Sequence, residues 1–154
     1  MERRVFLTSS GTALTVPFIG CTASLRCPDP DIESPMEYEE FDFSASLEAE
    51  DEVRLLTTPD DVEAEERETR QNLAEVDFDT QCAVIVERPL RGDWGSHHIL
   101  GVERDSDNNS LLRVHACSTD RPDEPNDVQT YLSFGIIVDY TGNTPTDVTL
   151  RHHY

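Results

Sequence analysis

Hydrophobic and polar positions alternate most regularly over Val128–Tyr140. Leu132, Phe134, Ile136, Val138 and Tyr140 fall on one face at period two, and Ser133, Gly135 and Asp139 on the other, which predicts a strand with one buried face. Gln81–Glu87, QCAVIVE, is a near-continuous β-branched run and reads as a central strand. His97–Arg104 and Leu111–Cys117 are two more strands, and the polar Asp105–Ser110 stretch between them predicts a hairpin turn. Phe41 and Phe43 flank Asp42, and in Glu52–Leu56 Val53 and Leu55 face away from Arg54, so the same period recurs earlier in the chain. Asp147–Arg151 follows a Gly142-Asn143 turn and reads as a last strand.

One helix interrupts this pattern. Thr58 is placed to cap it, Pro59 suits its first position, and Asp60 and Asp61 favour the positive end of its dipole. It is expected to run to about Leu73 on the surface, touching the body through Val62, Ala64, Leu73 and Ala74. Gly92 and Gly95 make a joint of Pro89–Gly95, and Ser118–Asp127 is a polar loop with two prolines. The expected fold class is α+β, mainly β: an antiparallel sheet or small sandwich of about five to six strands with one surface helix.

The chain has 154 residues, which suggests one domain. Its 32 acidic residues face 12 basic ones, every one of them Arg, for a net charge of −20. Such a charge repels itself in dilute buffer, whereas at molar salt the Debye length falls to about 3 Å. Abundant carboxylate without lysine resembles the proteins of an extreme halophile. The acidity then reflects the solvent rather than a basic partner, and the lack of a basic patch argues against nucleic acid.

Met1–Cys21 places an Arg3-Arg4 pair before Val5, Phe6 and Leu7, then a charge-free run from Thr8 to Gly20 that ends at Cys21. The run falls short of the roughly 20 apolar residues that span a bilayer. It resembles a twin-arginine export signal closing in a lipobox, although Glu2 and Thr8 stand where Ser and Lys are usual, and Phe18 and Ile19 are bulky for a lipobox. The resemblance implies a signal peptide over residues 1–20, a lipid on Cys21, and a protein held at the outer face of the cell membrane. Residues 22–40, with Pro28, Pro30 and Pro35 among acidic residues, then read as a solvated tether, so that 21–40 is the lipid-bearing tether and 41–154 a single β-rich domain.

With Cys21 lipidated, Cys27, Cys82 and Cys117 remain. Cys82 and Cys117 each end a predicted strand, so a disulfide between them is expected, with Cys27 unpaired in the tether. The alternative is that Cys82 and Cys117 are small buried side chains. Alternation puts His115 and Cys117 on one strand face, and with His97 and His98 they suggest a soft-metal set, but no ligand spacing links the four. Ser96 and His97 are neighbours and point to opposite faces of a strand, which disfavours a nucleophile–base pair. Carboxylates are too many for any pair to stand out, and no phosphate-cradling glycine loop is present. The expectation is therefore no catalytic residue, no resident metal and no cofactor. Asn108-Asn109-Ser110 is a glycosylation sequon in the hairpin turn, with Asn108 the acceptor.

Across Val76–Tyr140 the order of features resembles the C-terminal domain of the protease-complex stabilising protein PrcB. An Asp77-Phe78 pair precedes the apolar Cys82–Glu87 strand. A joint at Gly92–Ser96 follows, then a hairpin over His98–Cys117, a loop at Arg121–Asp127 and a last strand at Tyr131–Tyr140. At the joint, Trp94-Gly95-Ser96-His97 replaces a Gly-Gly-Tyr-like step. The resemblance implies a surface-anchored, non-catalytic domain that binds or stabilises another surface protein. The rival reading is a surface metal-binding protein or enzyme using His97, His98, His115 and Cys117.

Overall fold

The structure, a computed structural model, describes residues 27–43, 50–91, 95–119 and 129–153. Among these residues, seven strands form two sheets packed face to face, with two short helices on the outer side of the larger one. The mainly β, α+β class follows from the alternation noted above.

The larger sheet has the order β1-β6-β3-β2 and is antiparallel throughout, from β1 (Tyr38–Phe41), β6 (Gln129–Asp139), β3 (Gln81–Arg91) and β2 (Glu52–Leu56). The smaller has the order β4-β5-β7, from β4 (His97–Arg104), β5 (Leu111–Ser118) and β7 (Asp147–His153). Between the sheets lie Cys82, Val84 and Val86 of β3, Leu132 to Val138 at alternate positions of β6, and Val102, Leu112, Val114 and Ala116 of the smaller sheet. Behind the larger sheet, Phe41, Leu56, Ala83, Ile85 and Ile137 meet Leu73, Val62, Val76 and Phe78 of the helical segment. Because β3 is covered on both faces, its sequence is continuously apolar rather than alternating. Pro89 in β3 pairs with Tyr131 on one side, beyond the end of β2 on the other, so its missing N–H interrupts no second ladder. Gly135 lies opposite Phe41 in the β1–β6 pair, and the Phe41 ring occupies the space where a Cβ would stand.

The helical segment is two helices, α1 (Pro59–Glu63) and α2 (Arg67–Asn72), rather than one. Its start is as the residues suggest. Thr58 Oγ1 accepts from the Asp61 amide, and Asp61 accepts from the amides of Thr57 and Thr58 at 2.9 Å, completing a capping box. Those amides hold the Asp61 carboxyl below its usual value. The break between the helices coincides with Glu65, whose carboxylate turns back to Arg54 Nε and Nη2 on β2.

Two further expectations change. The β4–β5 hairpin forms, but β7 runs parallel to β5, so the smaller sheet is mixed. The turn at Gly142, which adopts a positive φ of 81°, carries the chain from the end of β6 across to the other sheet instead of folding it back as a hairpin. Residues 27–40 are also not a solvated tether along their described length: Ser34–Met36 bond to the edge of β4 and Tyr38–Phe41 to β6. The Met36 amide donates to the Val102 carbonyl at 2.9 Å, which covers an edge that would otherwise stay open.

Candidate functional site

Residues 27–36 form a strap over the outer face of the smaller sheet. A disulfide joins Cys27 to Cys117, with Cα atoms 5.7 Å apart, at the end of β5 that lies beside the start of β4. From there the strap descends the sheet. Ile32 packs onto Gly101, where any Cβ would collide with its Cδ1, and the Glu33 amide donates to Glu103 Oε2 at 3.0 Å. Ser34–Met36 then turns up along β4 and leads into β1. Pro30 and Ile32 are half-buried while Asp29, Asp31 and Glu33 are exposed, a period-two pattern hidden in a Pro/Asp-rich stretch.

The disulfide corrects the expected Cys82–Cys117 pair. Cys82 is a free, fully buried thiol between the sheets, at the end of β3 that pairs with Val138. Cys117 lies at the opposite end of the sandwich, and its sulfur is held by the strap on the outside. Burial pushes the Cys82 thiol up to about 12, the Arg104 charge only partly offsetting it, so it stays protonated and unreactive at neutral pH.

Under the strap runs a chain of charged and polar groups. Arg113 Nη2 donates to Asp105, and its Nη1 donates to Glu103 Oε1 at 3.2 Å. His115 Nε2 lies 3.0 Å from the same Glu103 oxygen, and His115 Nδ1 lies 3.0 Å from His153 Nε2, the two rings stacked 5.3 Å apart. Glu103 and His115 are each only 4% exposed. Burial pushes the Glu103 carboxyl up, but hydrogen bonds from His115, the Glu33 amide and Arg113 more than offset it and leave it below its ordinary value. The amides of Asn108 and Asp107, with Arg113, likewise hold Asp105 low against burial. Burial, then the neighbouring His115 and Arg151, lower His153.

On the inner side, at the same end as the disulfide, Ser118 Oγ sits 2.7 Å from His97 Nδ1 and 2.6 Å from His152 Nε2. Burial and the neighbouring His98 lower His97, partly offset by a bond to the Tyr131 main chain. Burial, then Arg88, His97 and His153, push His152 down to about 4. Both rings are therefore neutral at pH 7, and the one hydroxyl proton of Ser118 serves one ring while its oxygen accepts from the other.

The residues of the suggested metal set are thus separated. His97 faces inward onto Ser118, His98 is exposed, His115 lies under the strap on Glu103, and Cys117 is spent in the disulfide. Among the described residues, no group of three or more His, Cys, Asp or Glu side chains is arranged to hold a metal ion. Arg3, Arg4, Phe6, Leu7 and Cys21 lie outside the described residues, as do Gly92–Trp94 of the joint and Asp120–Val128 of the loop. Asn108 is exposed in the hairpin turn, and its Oδ1 accepts from the Ser110 amide at 3.2 Å and the Ser110 hydroxyl at 2.6 Å.

Two arginine-centred clefts were not singled out by the sequence. On the helix side, Arg54 is held by Glu65, Glu87 and Glu52 at 2.7–2.9 Å and lines a hollow of about 390 Å³ with Phe43 and Thr69. At the end of the sandwich away from the disulfide, Arg104 Nη1 donates to the carbonyls of Asn109 and Asn143, and its guanidinium lies 6.0 Å over the Tyr140 ring. It borders a cleft of about 420 Å³ with Met36, Glu37 and Asp139. Arg54 is fully engaged by carboxylates, whereas Arg104 is held through Nη1 and its Nη2 is buried without a hydrogen-bond partner among the described residues. The detectable signal was only a charged residue on a strand, one among many here. No family model, curated protein or solved structure matches the chain.

Proposed function

We propose that this is an exported, lipid-anchored protein of the outer cell surface, working in high salt, whose β-rich body binds or stabilises another surface protein without catalysis. The observation that carries this reading is the Cys27–Cys117 disulfide. Such cross-links persist in oxidising compartments outside the cytosol, and this one begins six residues after the Cys21 that ends the signal-like stretch. The non-catalytic part draws support from His97, His115, Ser118 and Glu103 being partners of one another in or beside the packed interior. A protein partner is what the resemblance to the PrcB C-terminal domain implies.

Replacing Cys21 with Ser tests the anchor in the native host. The variant is expected to leave the membrane fraction or to stall as precursor, and unchanged membrane association refutes lipidation. Cross-linking on intact cells at molar salt tests the binding role: one recurrent protein partner supports it, and none counts against it.

A further inference from the structure

We propose that the Cys27–Cys117 disulfide sets the posture of the domain on the membrane: the end of the smaller sheet that carries Cys117 rests against the lipid headgroups, and the Asp105–Ser110 turn points away from them. This rests on the lipid at Cys21 proposed above.

Chain length is the main argument. Without the cross-link, the first strap amide bonded to the sheet among the described residues is that of Glu33, on the Glu103 carboxylate toward the far end of β4. Twelve residues would separate it from Cys21, a reach of about 40 Å at roughly 3.3–3.6 Å per residue, and the body would be free to turn over. With the cross-link the link shrinks to six residues, Cys21 to Cys27, or about 20 Å fully extended. It also leaves from the opposite end of the sheet, where Cys117 pairs with His98 and His153. The eight residues of β5 from Leu111 to Ser118 then hold the hairpin turn about 25 Å farther from the anchor, at roughly 3.3 Å per residue.

Charge adds little to this direction. Thr22–Arg26 contains no acidic residue and one Arg, in a chain with 32 carboxylates. Within the smaller sheet, the strand ends beside Cys117 carry His97, His98, Arg151, His152 and His153 and no Asp or Glu over 95–99, 116–119 and 149–153. The opposite ends carry Glu103, Asp105, Asp107 and Asp147 against Arg104 and Arg113. His97 and His152 are neutral at pH 7, Asp29 and Asp31 of the strap are exposed close to Cys27, and Arg113 offsets part of the acid at the second end, so charge orients the body only weakly. Molar salt screens what attraction there is, so the short link rather than the charge fixes the posture.

The single tryptophan makes the test direct. Trp94 precedes Gly95, whose amide bonds to the Thr119 carbonyl at 3.0 Å, two residues past Cys117. The full mature protein, taken from its host and reconstituted at molar salt into vesicles containing headgroup spin-labelled lipid, should float with the vesicles and show strong quenching of Trp94. A Trp94→Phe, Asn109→Trp double variant, which moves the only tryptophan to the far turn, should float equally and be quenched several-fold less. Protein that floats with both tryptophans quenched alike, or with the far one quenched more, overturns the posture alone. Protein that does not float overturns the anchor and the posture with it. Reducing the disulfide in the floated wild-type protein should lower Trp94 quenching while circular dichroism reports the fold, and undiminished quenching on reduction assigns the posture to something other than the cross-link and overturns the proposal.

Discussion

Breaking the strap's cross-link is the most informative single perturbation. Cys27 and Cys117 are separated by 90 residues. Closing a loop of that length in the unfolded chain removes entropy worth about 4.6 kcal/mol at 25 °C in the chain-entropy treatment. That is a large share of the roughly 5–15 kcal/mol by which domains of this kind are stable. Losing it should also loosen Ile32 from Gly101 and the Glu33 amide from Glu103, so the cost to the native state has the same sign. The assay is urea unfolding at molar salt of a soluble Cys21→Ser form, compared with the same form carrying Cys27→Ser. With a slope of about 2 kcal/mol per molar urea, the midpoint should fall by about 2 M. Cys82→Ser in the same background should keep the disulfide, and its smaller effect should come from burying a hydroxyl between the sheets. A Cys27→Ser midpoint that stays where it was, or loss of the cross-link in Cys82→Ser, would refute this assignment of the disulfide.

Gly135→Ala puts a methyl group into the Phe41 ring and should cost about 1–3 kcal/mol by thermal melting, a cost largely removed in a Phe41→Ala background. His152 binds its proton less readily folded than unfolded, so the unfolded chain takes up more protons as the pH falls from about 6.5 to about 4, and stability should decline across that window. His152→Gln should flatten that decline in melts taken across the same range. Asn108 should carry a glycan in protein from its own host, seen as added mass on the hairpin peptide and lost in Ser110→Ala; an unmodified wild-type peptide contradicts this. Replacing Arg3 and Arg4 with Lys should trap precursor inside the cell, and normal export of that variant removes the twin-arginine reading.

Where one face of a strand is buried, the sequence announced it. Leu132, Phe134, Ile136 and Val138 all point into the space between the sheets, and Val53 and Leu55 join them while Arg54 faces the helices. The Thr58–Asp61 cap was equally plain, because it is local chemistry. What was not legible depends on distant partners. The parallel pairing of β7 with β5 follows from which end of the sandwich the Gly142 crossing starts at, and no pattern within Asp147–His153 records that. Cysteine spacing does not give connectivity, so the partner of Cys27 was hidden, and proline with aspartate in residues 28–31 disguised a docked segment as a solvated one. Glu103 and His115 were lost among many charges; only the strap lying over them distinguishes them, by burying both.

The central claim is that a segment leading from a lipid-bearing Cys21 is clamped to the outer face of the smaller sheet. Peptide mapping under non-reducing conditions, on protein extracted from its own membrane with free thiols blocked, tests it most directly. Cleavage after arginine should yield a lipid-modified peptide beginning at Cys21, a cross-linked pair whose members begin at Cys27 and Val114, and a blocked thiol at Cys82. An uncut chain beginning at Met1 with Cys27 and Cys117 both blocked would contradict it.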